Sequence, residues 1–316
     1  MTTTADAPRR GPYRALRAAL APLRSRARAL RVRAARNREF VLPGHFYSSV
    51  PHSAEVTRDH DRIYASDPLE IAGVDLRIEQ QWTLATELVA MLPEMPFCDR
   101  PADGLRYGFD NPSFAVGDGT FLHLMIRRLR PRRIIEVGSG FSSACMLDTV
   151  DRCLASETAC TFIDPEPALV HRLIGGIERA NVRVVGERVQ DVPVGLFDSL
   201  AADDLLFIDS SHVAKTGSDL NHLLFEVLPR LAIGVTVHFH DIFPAFEYPS
   251  SWLQEGRAWN ECYVLRAFLQ YNTSFQVELW PSLLWRVDPV RMGALAPATG
   301  ANPGGSLYLR RVAPPA

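Results

Sequence analysis

From residue 133 to residue 241, short apolar runs alternate with helically patterned stretches, and that alternation limits the chain to very few architectures. RIIEV (133–137), CTFID (160–164), VRVVG (182–186), DLLFID (204–209) and GVTVHFHD (234–241) read as strands. SSACMLDTVDRCL, PALVHRLIGGIERA and SDLNHLLFEVLPRL carry the spacing of helices between them. Parallel neighbours need a crossover, and a helix is the usual one, so the pattern predicts βαβ units and a doubly wound sheet covered on both faces. The helix WNECYVLRAFLQYN precedes two further strands, FQVELW and SLYLRR (306–311). With no helix read between these two, they are expected to form an antiparallel edge pair.

The 316 residues, 47% hydrophobic and 22% charged, suffice for a sizeable core in one large domain with extensions, or in two. The predicted division is an Arg-rich extension over 1–40, a helical lead-in over 41–104 and the sheet domain over 105–316. The five cysteines form no CxxC pair, and no apolar run approaches the ~20 residues that span a bilayer. Nor is there an apolar leader with a small-residue cleavage site, so a reduced, cytoplasmic protein is expected. The net charge of −2 conceals an asymmetry. Residues 1–40 hold eleven arginines against Asp6 and Glu39, which leaves the remainder acidic and gives no reason to expect nucleic acid. Leu16, Leu20, Leu23, Leu30 and Val32 form a thin apolar stripe within 12–38, interrupted by Pro22. Such a basic helix suits peripheral contact with an anionic membrane or an acidic protein; a solvated extension is the plainer reading. Lys215 is the single lysine, and the Ala- and Arg-rich usage fits a GC-rich bacterial genome.

The first strand runs into Glu136-Val137-Gly138-Ser139-Gly140-Phe141-Ser142-Ser143. Glycines at 138 and 140 allow a tight turn and close backbone approach to a ligand, and the following helix offers free N–H groups. The third glycine of the dinucleotide pattern GxGxxG is absent, which disfavours a dehydrogenase. Asp164 ends the second strand, close to the ~20-residue offset at which a carboxylate accepts ribose hydroxyls. It also suits a helix cap before Pro165. Gln190 and Asp191, after the third strand, are placed to meet an adenine amino group.

EVGSGFSS, FIDP, FIDSSH and HFHD, in this order, resemble the class I S-adenosylmethionine-dependent methyltransferases. The likeness extends to the branch containing macrocin O-methyltransferase and cephalosporin-hydroxylase-like proteins, and it covers roughly residues 105–311. It implies a Rossmann-like sheet of seven strands, mostly parallel with an antiparallel last strand, beside the N-terminal helical extension. By that resemblance Glu136, Gly138, Ser139 and Gly140 form the cofactor loop and Asp164 holds the ribose.

A second constellation closes the fourth and fifth strands: Asp209-Ser210-Ser211-His212 and His238-Phe239-His240-Asp241. Neighbouring strand ends in a doubly wound sheet are where ligands bind. Alternation puts His238 and His240 on one face, His238 reading as a core histidine. Asp209, His240 and Asp241 are candidate ligands for a divalent metal, magnesium by family habit, or iron, manganese or zinc given the histidines. Asp209, His212 and His240 are alternatively an acid/base group beside a reacting hydroxyl. The aromatic, proline-rich loop Ile242–Pro249, with Trp252 and Trp259, reads as a lid, an acceptor wall or packing. Gly44–Ser48 and Tyr107–Phe114 are further candidates to fold over the site. The expected activity is O-methylation of a small hydroxylated metabolite or sugar. Two alternatives are an iron-dependent oxidative enzyme on the same fold and a non-catalytic cofactor-binding scaffold.

Overall fold

The strands begin and end within two residues of their predicted places: β1 (Arg133–Val137), β2 (Ala159–Ile163), β3 (Val182–Val185), β4 (Leu205–Ile208), β5 (Thr236–Phe239), β6 (Phe275–Leu279) and β7 (Leu307–Arg311). They form one sheet in the order β3-β2-β1-β4-β5-β7-β6. The computed structural model describes residues 40–65, 69–155, 157–175 and 179–314. The Arg-rich stripe read over 12–38 lies outside them. The chain divides into two compact units, Met1–Arg58 and Asp59–Ala316, and the whole sheet belongs to the second. In the first, Phe46 and Tyr47 are exposed and a short helix spans Ser53–Arg58.

Inner strands are buried on both faces, because alternate side chains enter two different cores. Ile135, Val137, Leu206 and Ile208 join one cluster, packed with Leu220, Leu223, Cys262 and Leu265. Ile134, Leu205 and Phe207 join the other, under α2 (Val116–Leu129) and α3 (Phe141–Cys153). The lead-in helix α1 (Ile78–Val89) packs against α2 and β6. α4 (Ala168–Ile174) follows β2. The helix predicted after β4 starts at Asp219, widens to a π turn over Leu223–Val227 and closes through Leu228–Arg230. α5 (Glu261–Leu269) precedes β6.

One expectation is corrected. β6 and β7 are antiparallel, but α6 (Pro281–Val287) and α7 (Pro289–Leu295) stand between them, and β7 inserts between β5 and β6. Only β6 is therefore an edge on this side. Each of these helices opens on a proline, where the locked φ and missing N–H cost nothing, so punctuation that reads as loop is a helix start. Leu283, Leu284 and Met292 are buried there.

From β1 the chain winds outward through β2 to β3, then returns to β4 on the other side of β1. That reversal opens a crevice beyond the carboxyl ends of β1 and β4, the place where such sheets bind ligands.

Candidate functional site

Gly138 leaves β1 with φ +82°, and a Cβ there would overlap the Asp209 carbonyl oxygen, so no other residue fits the turn without displacing the end of β4. Asp164 fixes the turn from the side: the Ser139 N–H and hydroxyl donate to Oδ2 at 2.9 and 3.1 Å, and the Glu166 N–H to Oδ1 at 2.7 Å. Glu136 fixes it from beneath. It is fully buried, and its carboxylate accepts the hydroxyls of Ser142 and Ser143, while the Gly140 N–H donates to Ser143 Oγ at 3.0 Å. Burial pushes the Glu136 carboxyl up to about 8, although both serines pull the other way. Glu136 thus lies below the loop rather than on its open side.

Above the turn lies a cleft of about 430 Å³ whose walls include Gly138, Asp164, Gln190 and Asp209. Arg188, Lys215 and Asp219 also line it and escape sequence reasoning. They arrive on two loops; Asp219 is held by the Ser211 N–H and hydroxyl at 2.7 and 2.6 Å. Gln190 donates to the Gly217 carbonyl at 3.0 Å, tying the third-strand loop to the fourth. Asp191, by contrast, is turned to Arg188 in a two-pronged ion pair at 2.7 and 2.9 Å.

Asp209, at the cleft wall, begins a second network. His212 Nε2 lies 3.3 Å from Asp209 Oδ1 and 3.7 Å from Asp241 Oδ2, and its Nδ1 is 2.6 Å from Glu261 Oε2. His240 Nε2 lies 3.6 Å from Asp241 Oδ1, with Nδ1 3.9 Å from Asp118 Oδ1. Asp118 in turn accepts the Gly305 N–H and the Ser306 hydroxyl at 3.0 and 2.6 Å. Burial alone drives both imidazoles toward neutrality. The bonds to Asp209 and Glu261 overcome it and lift His212 to about 10; the charges of Asp209, Asp241 and Asp118 lift His240 to about 9. Burial raises Asp209 too, but His240 and His212 outweigh it and hold the carboxyl below its ordinary range. For Asp241, burial wins and the carboxyl is raised. Two carboxylates around one imidazole are thereby driven apart in acidity, the arrangement acid–base chemistry uses. His212 and Asp241 both adopt left-handed backbone, φ +60° and +57°, which places their side chains toward each other at a modest energetic cost.

Among the described residues no group of three His, Cys, Asp or Glu side chains is placed to hold a metal ion. Asp209 and Asp241 both face the His212 imidazole, and Asp241 also faces that of His240. His238 is a core residue as expected, stacked on Phe207 at 3.9 Å and bonded to Ser306 Oγ at 2.9 Å. Trp259 covers His212 with ring centroids 4.3 Å apart. Tyr107 and Asn111 hold their own turn through the Phe114 carbonyl, and Phe114 packs 5.3 Å from His240.

Asp118 and Glu261, both missed from sequence, sit in the first turns of α2 and α5 and are almost wholly buried. An acidic residue in a first turn complements the helix dipole, which hides any further purpose. The signal available was Gly117-Asp118-Gly119, where small neighbours let another chain segment close on the carboxylate.

The sheet order, the glycine turn and the cleft above it have the form of the Rossmann-like methyltransferase fold. Residues 135–242 match a family described as a methyltransferase domain. An uncharacterized protein of Archaeoglobus fulgidus is 30% identical over 161 residues, half of this chain and 72% of its own length; the chain belongs to the same family. Among solved structures, the O-methyltransferase TomG from Streptomyces achromogenes, in complex with S-adenosylmethionine, is 15% identical with a TM-score of 0.42, covering 83% of this chain and 97% of that one. A Podospora anserina methyltransferase bound to S-adenosylhomocysteine is 13% identical with a TM-score of 0.41, covering 87% and 100%. Likeness of this degree carries no weight for substrate or residue roles. No helix among the described residues is long and apolar enough to cross a membrane.

Proposed function

We propose that the chain methylates a hydroxyl oxygen of a small metabolite, with Asp209 and the histidines behind it handling the proton. The observation that carries this is the opening of one cleft onto both Asp164 and Asp209. The turn Gly138-Ser139-Gly140 and Asp164 would hold the cofactor, with Gln190 at the adenine end and Glu136 supporting the loop from below. The bound cofactor supplies an electrophilic methyl group on a sulfonium, so the protein's task is chiefly alignment.

Asp209, its side chain about a third exposed, is the ionised carboxylate that meets and orients the acceptor hydroxyl. His212 and His240 hold their protons at neutral pH and stabilise negative charge as it grows on the acceptor oxygen. The acceptor oxygen forms its bond to the methyl carbon as the carbon–sulfur bond breaks, and its proton passes to solvent. We assign this chemistry to residues 105–316, with 41–104 as lead-in. The Arg-rich extension we take as a peripheral contact for an anionic membrane or an acidic protein in the cytoplasm.

Calorimetry with S-adenosylhomocysteine tests the cofactor site. The unaltered protein binds with micromolar affinity whether or not a chelator is present, and Asp164→Ala weakens binding about 10–100-fold, the worth of one or two bonds to a charged group. No binding by the unaltered protein would sink the reading.

A further inference from the structure

A second cavity, of about 510 Å³, lies beside the His–Asp network. Its wall is joined to that network at two points. Gly304 lines the cavity at φ +79°, and a Cβ there would run into the Asp118 carboxylate. Gly305 packs on Asp241 and accepts the Ile242 N–H at 2.8 Å, and Phe243, two residues past Asp241, lines the cavity itself.

The chemistry of the lining is one-sided. Tyr64, Phe243, Trp285, Pro244, Pro249 and Pro303 supply flat apolar faces. The hydroxyl of Ser282 is buried there, the residue only 7% exposed, and it has no hydrogen-bond partner. A buried hydroxyl left open is costly, and a ligand oxygen would complete it. One helical turn further along α6, Arg286 lines the same cavity, is exposed and forms no ion pair among the described residues. Glu247, the acidic residue of the lining, is already engaged by the Tyr263 hydroxyl. A sugar needs many polar partners at depth; here the walls are aromatic and proline, and the buried polar partner is Ser282. A free guanidinium at the end of such a slot matches a planar carboxylate, which it binds by two parallel hydrogen bonds.

We propose that this cavity holds the body of the acceptor, an aromatic hydroxy acid, its ring between the aromatic and proline walls, one oxygen on Ser282 and its carboxylate on Arg286, with the reacting hydroxyl directed past Asp241 toward Asp209. The proposal rests on the methyl-transfer reading and names its substrate class. The ring hydroxyl loses its proton and gains the methyl carbon, and the products are the aryl methyl ether and S-adenosylhomocysteine.

The test is release of S-adenosylhomocysteine from S-adenosylmethionine with 4-hydroxybenzoate, 3,4-dihydroxybenzoate, their methyl esters and methyl glucoside. At least one of the acids is turned over, and its ester shows a KM about tenfold higher or more. Arg286→Gln, a surface change that leaves the fold intact, abolishes the preference for acid over ester without altering S-adenosylhomocysteine affinity. Ser282→Ala raises KM for acid and ester alike. Turnover of the glucoside alone, of none of these compounds, or an unchanged acid preference in Arg286→Gln overturns the proposal while cofactor binding still stands. Absence of S-adenosylhomocysteine binding removes the methyl-transfer reading and this inference together.

Discussion

Glu136 shows how one side chain ties a local turn to the stability of the whole fold. Its carboxyl is raised to about 8 by burial, against the ordinary 4.5. The folded protein therefore binds that proton more tightly than the unfolded one, and Glu136 makes stability fall as pH rises from about 4.5 to about 8. Glu136→Gln stays neutral throughout and keeps partners for Ser142 and Ser143. Urea unfolding at pH 5 and pH 8 should show a smaller loss of stability in this variant than in the parent; equal losses would place the titration elsewhere. His212 works in a higher window with the same sign. Its folded value, about 10, exceeds the ordinary 6.5, so its contribution is complete below about pH 6.5 and lost as pH rises through 10. Glu136 was legible as part of the motif, but whether it faces the ligand or the helix beneath was not. That depends on Ser142 and Ser143 being one turn away on α3, which took up both its oxygens.

At the scale of elements, the strands were legible because a fully buried parallel strand is a short apolar run bounded by turn residues, and five such runs in succession leave little choice. The glycine turn was legible for a similar reason, since few residues adopt φ +82°. Gly138→Ala combines left-handed strain with overlap on the Asp209 carbonyl, so it should cost about 2–4 kcal/mol and displace the end of β4. Denaturant unfolding together with S-adenosylhomocysteine affinity would register both effects; a fully stable, fully binding variant would contradict the close approach of β1 and β4. α6 and α7 were not legible. Pro281, Pro289 and Pro297 read as breaks in isolation, and only burial of Leu283, Leu284 and Met292 against the sheet distinguishes helix starts from loop.

Over the whole molecule, the site is assembled from parts with no local relation. Glu261 reaches His212 across 49 residues, and Asp118 approaches His240 across more than a hundred. Glu261→Gln removes a negative charge that helps raise His212, so the pH limb governed by that histidine should move to lower pH. Turnover should fall about 10–100-fold with cofactor affinity unchanged. A pH profile of kcat, measured beside S-adenosylhomocysteine binding, separates this from a general loss of structure, which would lower both. The amino-acid sequence by itself determined the parallel sheet, the glycine turn and the acidic and imidazole groups at the ends of β1, β2, β4 and β5, because hydrophobic period and turn chemistry are local properties. Only the tertiary structure decided that β7 lies between β5 and β6, and that Asp118 and Glu261 stand behind the histidines. It alone paired the carboxylates with the two imidazoles and left a walled cavity beside them, because packing brings together residues whose separation along the chain carries no signal.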